Sequence, residues 1–284
     1  MIFQEKLMPK YGALLDRLKA FVVASSINLK YFDITPFGLK IAAENIINPL
    51  RTDSQPFLSL LQVLDRKAFG SGEAGELTAP KWLFYDCAEF PGGIFGFGFQ
   101  GKESSLQAKQ LMGLDKDYRG LVPISMLITI PMIEPGVWMS HTLSSLSQAL
   151  PGEGLAGLGA LTKTLAIKVF RVRMLYGATQ WDNPSVYIHA KFGPLKLVTA
   201  YTPAHSLENT FTYCVDINDE VLIRILTDDS PRTSDYSFFL AVDDIAKMKE
   251  MQGQIEEHKA EYWIAGPPCR KDNKAFVPIK MTPC

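Results

Sequence analysis

The chain has 284 residues, of which 47% are hydrophobic and 21% charged, and this composition excludes disorder, collagen-like repetition and a coiled coil. Its 29 Lys and Arg against 30 Asp and Glu give a net charge of -1, so we expect no nucleic-acid partner, because nucleic-acid binders use surplus cations to displace counterions. The four cysteines form no C-x-x-C pair and no apolar run reaches the roughly 18 residues of a membrane span, which together favour a soluble cytoplasmic protein.

Residues 1–75 are predicted to form a helical N-terminal region. Apolar residues at spacings of three and four over residues 14–22 indicate one face of a helix. A second helix is expected over residues 36–47, where it ends before a proline. A third fits residues 55–69, with Asp53 or Ser54 as its cap and a proline in its first turn.

Residues 76–284 are predicted to form an α+β core of short strands separated by Gly and Pro. The strand candidates, in chain order, are Trp82–Cys87, Ile94–Phe99, Leu121–Ile130, Val186–Phe192, Leu195–Tyr201, Thr210–Val215, Val221–Leu226 and Phe238–Val242. Short helices are expected over residues 105–112 and 155–170. A long final helix is predicted from Asp243 and Asp244, because an apolar stripe follows at helical spacing: Ile245, Met248, Met251, Ile255, His258 and Tyr262.

The middle of the chain is unusually poor in charge. Between Gly120 and Thr162 the only charged side chains are Glu134 and Glu153, yet many hydroxyl and amide groups occur. An uncharged wall with a few polar groups is typical of a cavity for an apolar ligand. The alternative is an ordinary core strand followed by a loop rich in Ser and Thr.

A glycine-rich motif, G-x-G-x-x-G, spans Gly152 to Gly157. In dinucleotide-binding proteins this motif follows a strand, opens a helix and precedes an acidic residue by about 20 positions. Here residues 144–151 have no strand pattern, and the first acid, Asp182, lies beyond that distance. The pattern therefore favours a glycine-rich hinge that leads into a helix, with nucleotide binding as the alternative.

Four cations, Lys163, Lys168, Arg171 and Arg173, lie on or just after that helix without an intervening acid. Such a cluster predicts either peripheral contact with an anionic membrane or a solvated helix surface. A further alternative is that Lys163 or Lys168 is desolvated and forms a Schiff base with a carbonyl substrate.

The four histidines show none of the spacings of a zinc site, so we predict no metal and no cofactor. A nucleophile elbow and a P-loop are also missing from the sequence. His141, in the charge-poor segment, and His258, on the final apolar stripe, remain candidates for a composite site, because catalytic groups can be brought together from distant positions. Ordinary core histidines are the alternative.

Two segments resemble a known family: VYIHAKFGPLKLVTAYTPAHS (Val186 to Ser206) and QIEEHKAEYW (Gln254 to Trp263) followed by GPP. They are similar to the catalytic domain of Rieske-type non-haem iron oxygenases, whose helix-grip fold is shared with START-like lipid carriers. The C-x-H and C-x-x-H ligands of the Rieske cluster are absent, and residues 1–140 contain no histidine that could bind the iron. The resemblance therefore implies the architecture, a curved antiparallel sheet gripping a long C-terminal helix, without the oxygenase chemistry.

Together these observations predict an α+β protein that binds a hydrophobic small molecule, such as a lipid, sterol or isoprenoid, in an internal cavity. The expected ligand-binding residues are Trp138, Ser140, His141, Trp181, Tyr201 and His258. The alternative is a metal-independent enzyme acting on a hydrophobic acid or carbonyl compound through His141, His258 or a buried lysine. The sequence leaves open whether any reaction is catalysed.

Overall fold

A computed structural model describes residues 8–69, 92–101, 105–203, 207–227, 235–272 and 274–284. The described chain divides into two compact units, one formed by residues up to Gly136 with Ser140–Val172, the other by Val137–Met139 with the residues from Arg173 onward. Each unit combines strands with helices, which confirms the predicted α+β class. The predicted strand Trp82–Cys87 lies outside the described residues.

The first unit is an open mixed sheet with helices. Its elements are α1 (Met8–Arg17), β1 (Leu18–Val23), α2 (Ser26–Leu29), β2 (Ile46–Ile47), α3 (Gln55–Phe69), β3 (Gly93–Phe99), α4 (Leu106–Leu111), β4 (Val122–Pro131), β5 (Val137–Ser145, of which the first three residues belong to the second unit) and α5 (Leu158–Val169). The strand order is β5-β4-β3-β1-β2. β3 is antiparallel to β1 and β4, whereas β2 is parallel to β1.

Helices cover both faces of this sheet. On one face Thr162 of α5 hydrogen-bonds Ser125 of β4 at 2.7 Å between hydroxyl oxygens. On the opposite face the ring of Phe57 in α3 packs against Phe21 of β1, with 5.1 Å between centroids. Successive strand residues point to opposite faces, so a strand covered on both sides needs a nearly continuous apolar run, as β4 has apart from Ser125 and Thr129.

The N-terminal region contains less helix than the sequence predicts. α1 ends at Arg17, and residues 18–23 form β1 because they pair along their whole length with β3. Residues 36–47 contain two single 3-10 turns and β2 instead of a helix. The predicted helix over residues 55–69 is confirmed as α3.

Within its described residues, the second unit contains a further set of strands and three helices. Its remaining elements are β6 (Met174–Gln180), α6 (Ser185–Ala190), β7 (Leu195–Thr199), β8 (Thr210–Asp216), α7 (Asp219–Thr227), β9 (Phe238–Ala241), α8 (Ile245–Glu256), β10 (Ala260–Ile264), β11 (Cys269–Lys271) and β12 (Lys274–Pro283). The strands run in the order β11-β12-β10-β7-β8-β6, and β9 pairs with β12.

Two predicted strands of this unit are helices, and the predicted long helix is short. Residues 185–190 and 219–227 form α6 and α7. α8 has 12 residues and is capped by Asp244, whose Oδ1 accepts from the Lys247 N–H at 2.9 Å. His258 has φ 52°, a left-handed conformation that ends the helical path, and residues 260–264 then join the sheet as β10.

The predicted helix-grip architecture is therefore wrong, because no described helix of this unit has the length that a gripping helix requires. The segments expected to form the two sides of the cavity also belong to different units, β4 to the first and α8 to the second. Within the described ranges, no helix is both long enough and apolar enough to cross a membrane.

Candidate functional site

The glycine-rich motif lies between a strand and a helix, of which the sequence predicts the helix but not the strand before it. β5 ends at Ser145 and α5 begins at Leu158, so residues 151–157, here called the glycine loop, lead directly into a helix of 12 residues. Gly154 and Gly157 have φ 62° and 80°. A side chain in this left-handed region costs roughly 1–2 kcal/mol, which explains why glycine occupies both positions.

The glycine loop contains backbone donors that lack a backbone acceptor among the described residues. Gly157 caps α5 without any side-chain hydrogen bond, and most of the loop is exposed. Among the described residues, the N–H groups of 154–157 donate to no backbone carbonyl. The first turn of a helix also leaves N–H groups without intrahelical acceptors, and the helix dipole places partial positive charge there. This arrangement suits a phosphate or another anion.

Two side chains from other elements hold the glycine loop through Glu153. Arg17, at the end of α1, donates from Nη1 to the Glu153 carbonyl and from Nη2 to its carboxylate, both at 2.6 Å. The Ser105 hydroxyl, at the start of α4, donates to the other carboxylate oxygen. Arg17 thus compensates the only negative charge in the loop. The sequence gives no signal of these contacts, because 136 positions separate Arg17 from Glu153.

Lys163 is fully buried in α5, and desolvation lowers its pKa from 10.5 to about 7. Every residue of this helix except Lys168 is buried. Lys168 lies with Nζ 5.1 Å from the ring centroid of Phe37. The predicted membrane contact through Lys163, Lys168, Arg171 and Arg173 is therefore wrong, since α5 is packed inside the unit and offers no amphipathic surface.

β5 carries one of the predicted histidines and a buried polar pair. His141 Nδ1 lies 2.7 Å from the Thr142 hydroxyl, and the residue is exposed, although neighbouring atoms still desolvate its ring in part. Burial lowers the pKa of His141, an effect that the charge of Asp65 opposes. Asp65, on α3, is itself fully buried and accepts from the Ser144 hydroxyl at 2.7 Å. His141 is therefore biased toward its neutral form.

The residues predicted to line one cavity are divided between the units. Ser140 and His141 belong to the first unit, whereas Trp138, Trp181, Tyr201 and His258 belong to the second. Within the second unit, Trp181 is buried and its Nε1 donates to the Ala200 carbonyl at 2.9 Å, which places it beside Tyr201. The Tyr201 hydroxyl donates to Glu208, and Lys249 Nζ lies 4.9 Å from its ring centroid.

Two of the other predicted residues, His258 and Trp138, occupy positions that the fold itself explains. His258 occupies the left-handed position after α8, and its N–H donates to the Ile255 carbonyl at 3.1 Å. Trp138 is buried on β5. Among the residues that the structure describes, no group of three or more His, Cys, Asp or Glu could hold a metal ion.

No protein-family model and no curated protein sequence matches this chain. Similar solved structures include the ribosomal-protein-S18-alanine N-acetyltransferase of Escherichia coli, at 11% identity and a TM-score of 0.38, covering 59% of this chain and 90% of that one. The NatC complex bound to Gag peptide and CoA matches at 10% identity and a TM-score of 0.36, covering 57% and 91%. An acetyltransferase assigned to the GNAT family, from Desulfovibrio desulfuricans, matches at 11% identity and 0.35, covering 56% and 91%. Scores this low do not establish a shared fold or a shared function.

The resemblance to Rieske-type oxygenases and START-like carriers is wrong, because the described part of the second unit lacks the long helix that a helix-grip fold requires. The predicted function depended on this architecture. Binding of a lipid, sterol or isoprenoid is therefore wrong as a function, and a hydrophobic small molecule is wrong as the predicted partner. The alternative enzyme acting on a hydrophobic acid or carbonyl compound is withdrawn with the cavity that it required, since the segments expected to form that cavity belong to different units.

Proposed function

We propose that this protein binds a coenzyme A thioester through the glycine loop and transfers its acyl group to an amine. The observation that carries the proposal is the strand–glycine loop–helix arrangement of β5, residues 151–157 and α5, in which the loop N–H groups of residues 154–157 donate to no backbone carbonyl of the described chain. Coenzyme A carries a pyrophosphate, which is the kind of group that such a helix start binds.

Other phosphate-bearing ligands fit this loop less well. The dinucleotide fold requires a parallel sheet, whereas β3 and β4, on which α5 packs, are antiparallel. A P-loop requires a lysine and a hydroxyl residue directly after its last glycine, whereas Leu158 and Gly159 follow Gly157. The acyl-donor class itself is taken as a hypothesis from the acetyltransferases named above, and the loop geometry supports only the binding of its phosphates.

His141 is the group we assign to accept the proton of the amine. It lies on β5, the strand that leads into the glycine loop, and burial favours its neutral form. When a thioester is bound, the amine nitrogen attacks the carbonyl carbon, the carbon–sulfur bond breaks with its electron pair on sulfur, and the proton released by nitrogen passes to a base. A neutral imidazole can take this proton near pH 7.

Calorimetric titration with coenzyme A tests the binding step. We expect coenzyme A to bind and pantetheine, which lacks every phosphate, to bind at least about tenfold more weakly, because charge-assisted hydrogen bonds supply much of the affinity. Two glycine substitutions form a matched pair. Gly154→Ala strains a left-handed residue, whereas Gly152→Ala meets open space and needs no left-handed backbone, so only the first should weaken binding. Equal binding of coenzyme A and pantetheine, or no binding of either, would refute the proposal.

A further inference from the structure

A groove of about 550 Å³ opens beside β2 in the first unit. It lies where the parallel strands β1 and β2 end, the position at which open sheets commonly bind ligands. Its more buried lining is mainly apolar, with Ala24, Leu29, Ile46, Ile47 and Phe57, and also includes the polar residues Asn48 and Ser54. Its exposed lining includes Ala43, Glu44, Arg51 and Asp53. A pocket of this volume, with an apolar interior and charged margins, has the character of a binding site.

The edge of β2 supplies a backbone donor and a backbone acceptor to this groove. In the described chain β2 pairs with β1 alone, and the Ala24 N–H donates to the Ile47 carbonyl at 3.0 Å. Backbone groups of successive strand residues point to opposite sides, so the Ile46 carbonyl and the Asn48 N–H point away from β1. Within the described residues, neither the Ile46 carbonyl nor the Asn48 N–H forms a backbone hydrogen bond. An added strand could bond to both.

The charge of the exposed lining is negative. Arg51 binds Asp53 through two hydrogen bonds, Nε to Oδ1 at 3.0 Å and Nη2 to Oδ2 at 2.6 Å, and the two charges cancel. Glu44 forms no ion pair with any residue that the structure describes. One uncompensated carboxylate therefore remains at the groove, and it complements a cationic side chain.

We propose that this groove binds a basic peptide segment in an extended conformation, which adds to β2 as a further strand. Backbone hydrogen bonds to Ile46 and Asn48 hold the peptide, as in other strand-addition complexes. Alternate side chains enter the apolar part of the groove, and a Lys or Arg side chain meets Glu44. The site is independent of the glycine loop and of acyl transfer.

The probe is a capped hexapeptide, acetyl-Val-Lys-Val-Lys-Val-Lys-amide, titrated into the full chain labelled with nitrogen-15 and followed by NMR. Two matched probes replace every Lys by Glu or methylate the backbone amides. We expect saturable shifts at residues 44–48, with binding weakened about tenfold or more by either change, since one removes charge complementarity and the other the strand hydrogen bonds.

Protein variants locate the site. Ala43→Trp fills the groove and should abolish binding, whereas Ala178→Trp, at an exposed position on β6, should not alter it. Glu44→Lys is a surface change that should reverse the preference from the Lys peptide to the Glu peptide. Failure of the Lys peptide to bind at millimolar concentration, equal binding of both peptides, or full binding by the Ala43→Trp protein would overturn the proposal.

Discussion

Replacing Lys163 by methionine should stabilise the protein, and by an amount that depends on pH. Lys163 has no exposed surface, and burial lowers its pKa from 10.5 to about 7. A displacement of this size corresponds to about 5 kcal/mol, at about 1.4 kcal/mol for each pKa unit. This figure is an upper value, because methionine also gives up whatever polar interaction the ammonium makes.

The sign follows from proton linkage. Between pH 7 and 10.5 the unfolded chain binds a proton at this lysine that the folded chain has released, so the free energy of unfolding of the wild type rises with pH across that window. Below pH 7 the full cost of the buried charge is present. Methionine has a similar volume and no charge. The free energy of unfolding of Lys163→Met should therefore exceed that of the wild type by most near pH 6 and by almost nothing near pH 10.

Urea unfolding of both proteins, monitored by circular dichroism from pH 6 to pH 9.5, measures this difference. Other titrating groups cancel when the two free energies are subtracted at each pH. Lys168→Met, on the same helix but partly exposed, serves as a control and should change stability by less than about 1 kcal/mol. A difference that stays constant with pH, or a wild type more stable than Lys163→Met at pH 6, would show that the buried ammonium carries no such cost.

Three further changes test other parts of the first unit. Ser144→Ala should cost about 1–3 kcal/mol in urea unfolding, because the buried Asp65 carboxylate loses a donor at 2.7 Å; an unchanged midpoint would mean that this bond contributes nothing. Gly96→Ala should cost more than about 1 kcal/mol by the same assay, since the new Cβ would lie 2.1 Å from the Ser125 carbonyl oxygen, and a neutral result would contradict that packing. His141→Gln should lower acetyl-coenzyme A turnover at pH 7 by about a hundredfold. It should also remove the fall of the turnover rate at acid pH, which in the wild type follows a pKa below 6.5. A variant that keeps the wild-type pH profile would exclude His141 as the base.

The elements that the sequence predicts well carry redundant local signals. α3 has a proline in its first turn and apolar residues at helical spacing, and β4 has a nearly unbroken apolar run suited to burial on both faces. α7 was missed, although Asp219 and Glu220 in its first turn and its buried residues at helical spacing favour a helix. Its β-branched residues gave the competing strand signal.

Beyond the end of α8, the sequence fits the spacing of a helix although the chain forms a strand. Residues 255, 258 and 262 fit a helical stripe, but burial alternates along residues 260–264 because Tyr262 and its neighbours pair with β12. Local spacing contains no information about that partner strand. The candidate site has the same character, since the glycines of residues 152–157 are visible in the sequence but the contacts that fix them come from Arg17 and Ser105.

The attachment of the glycine loop to α1 has a practical consequence for protein engineering. Deleting residues up to and including Arg17 removes α1 and leaves the carboxylate of Glu153, in the glycine loop, without its counter-charge. A shortened protein would therefore repel the very ligand for which it is assayed, and a negative binding result obtained with it would say nothing about the intact molecule.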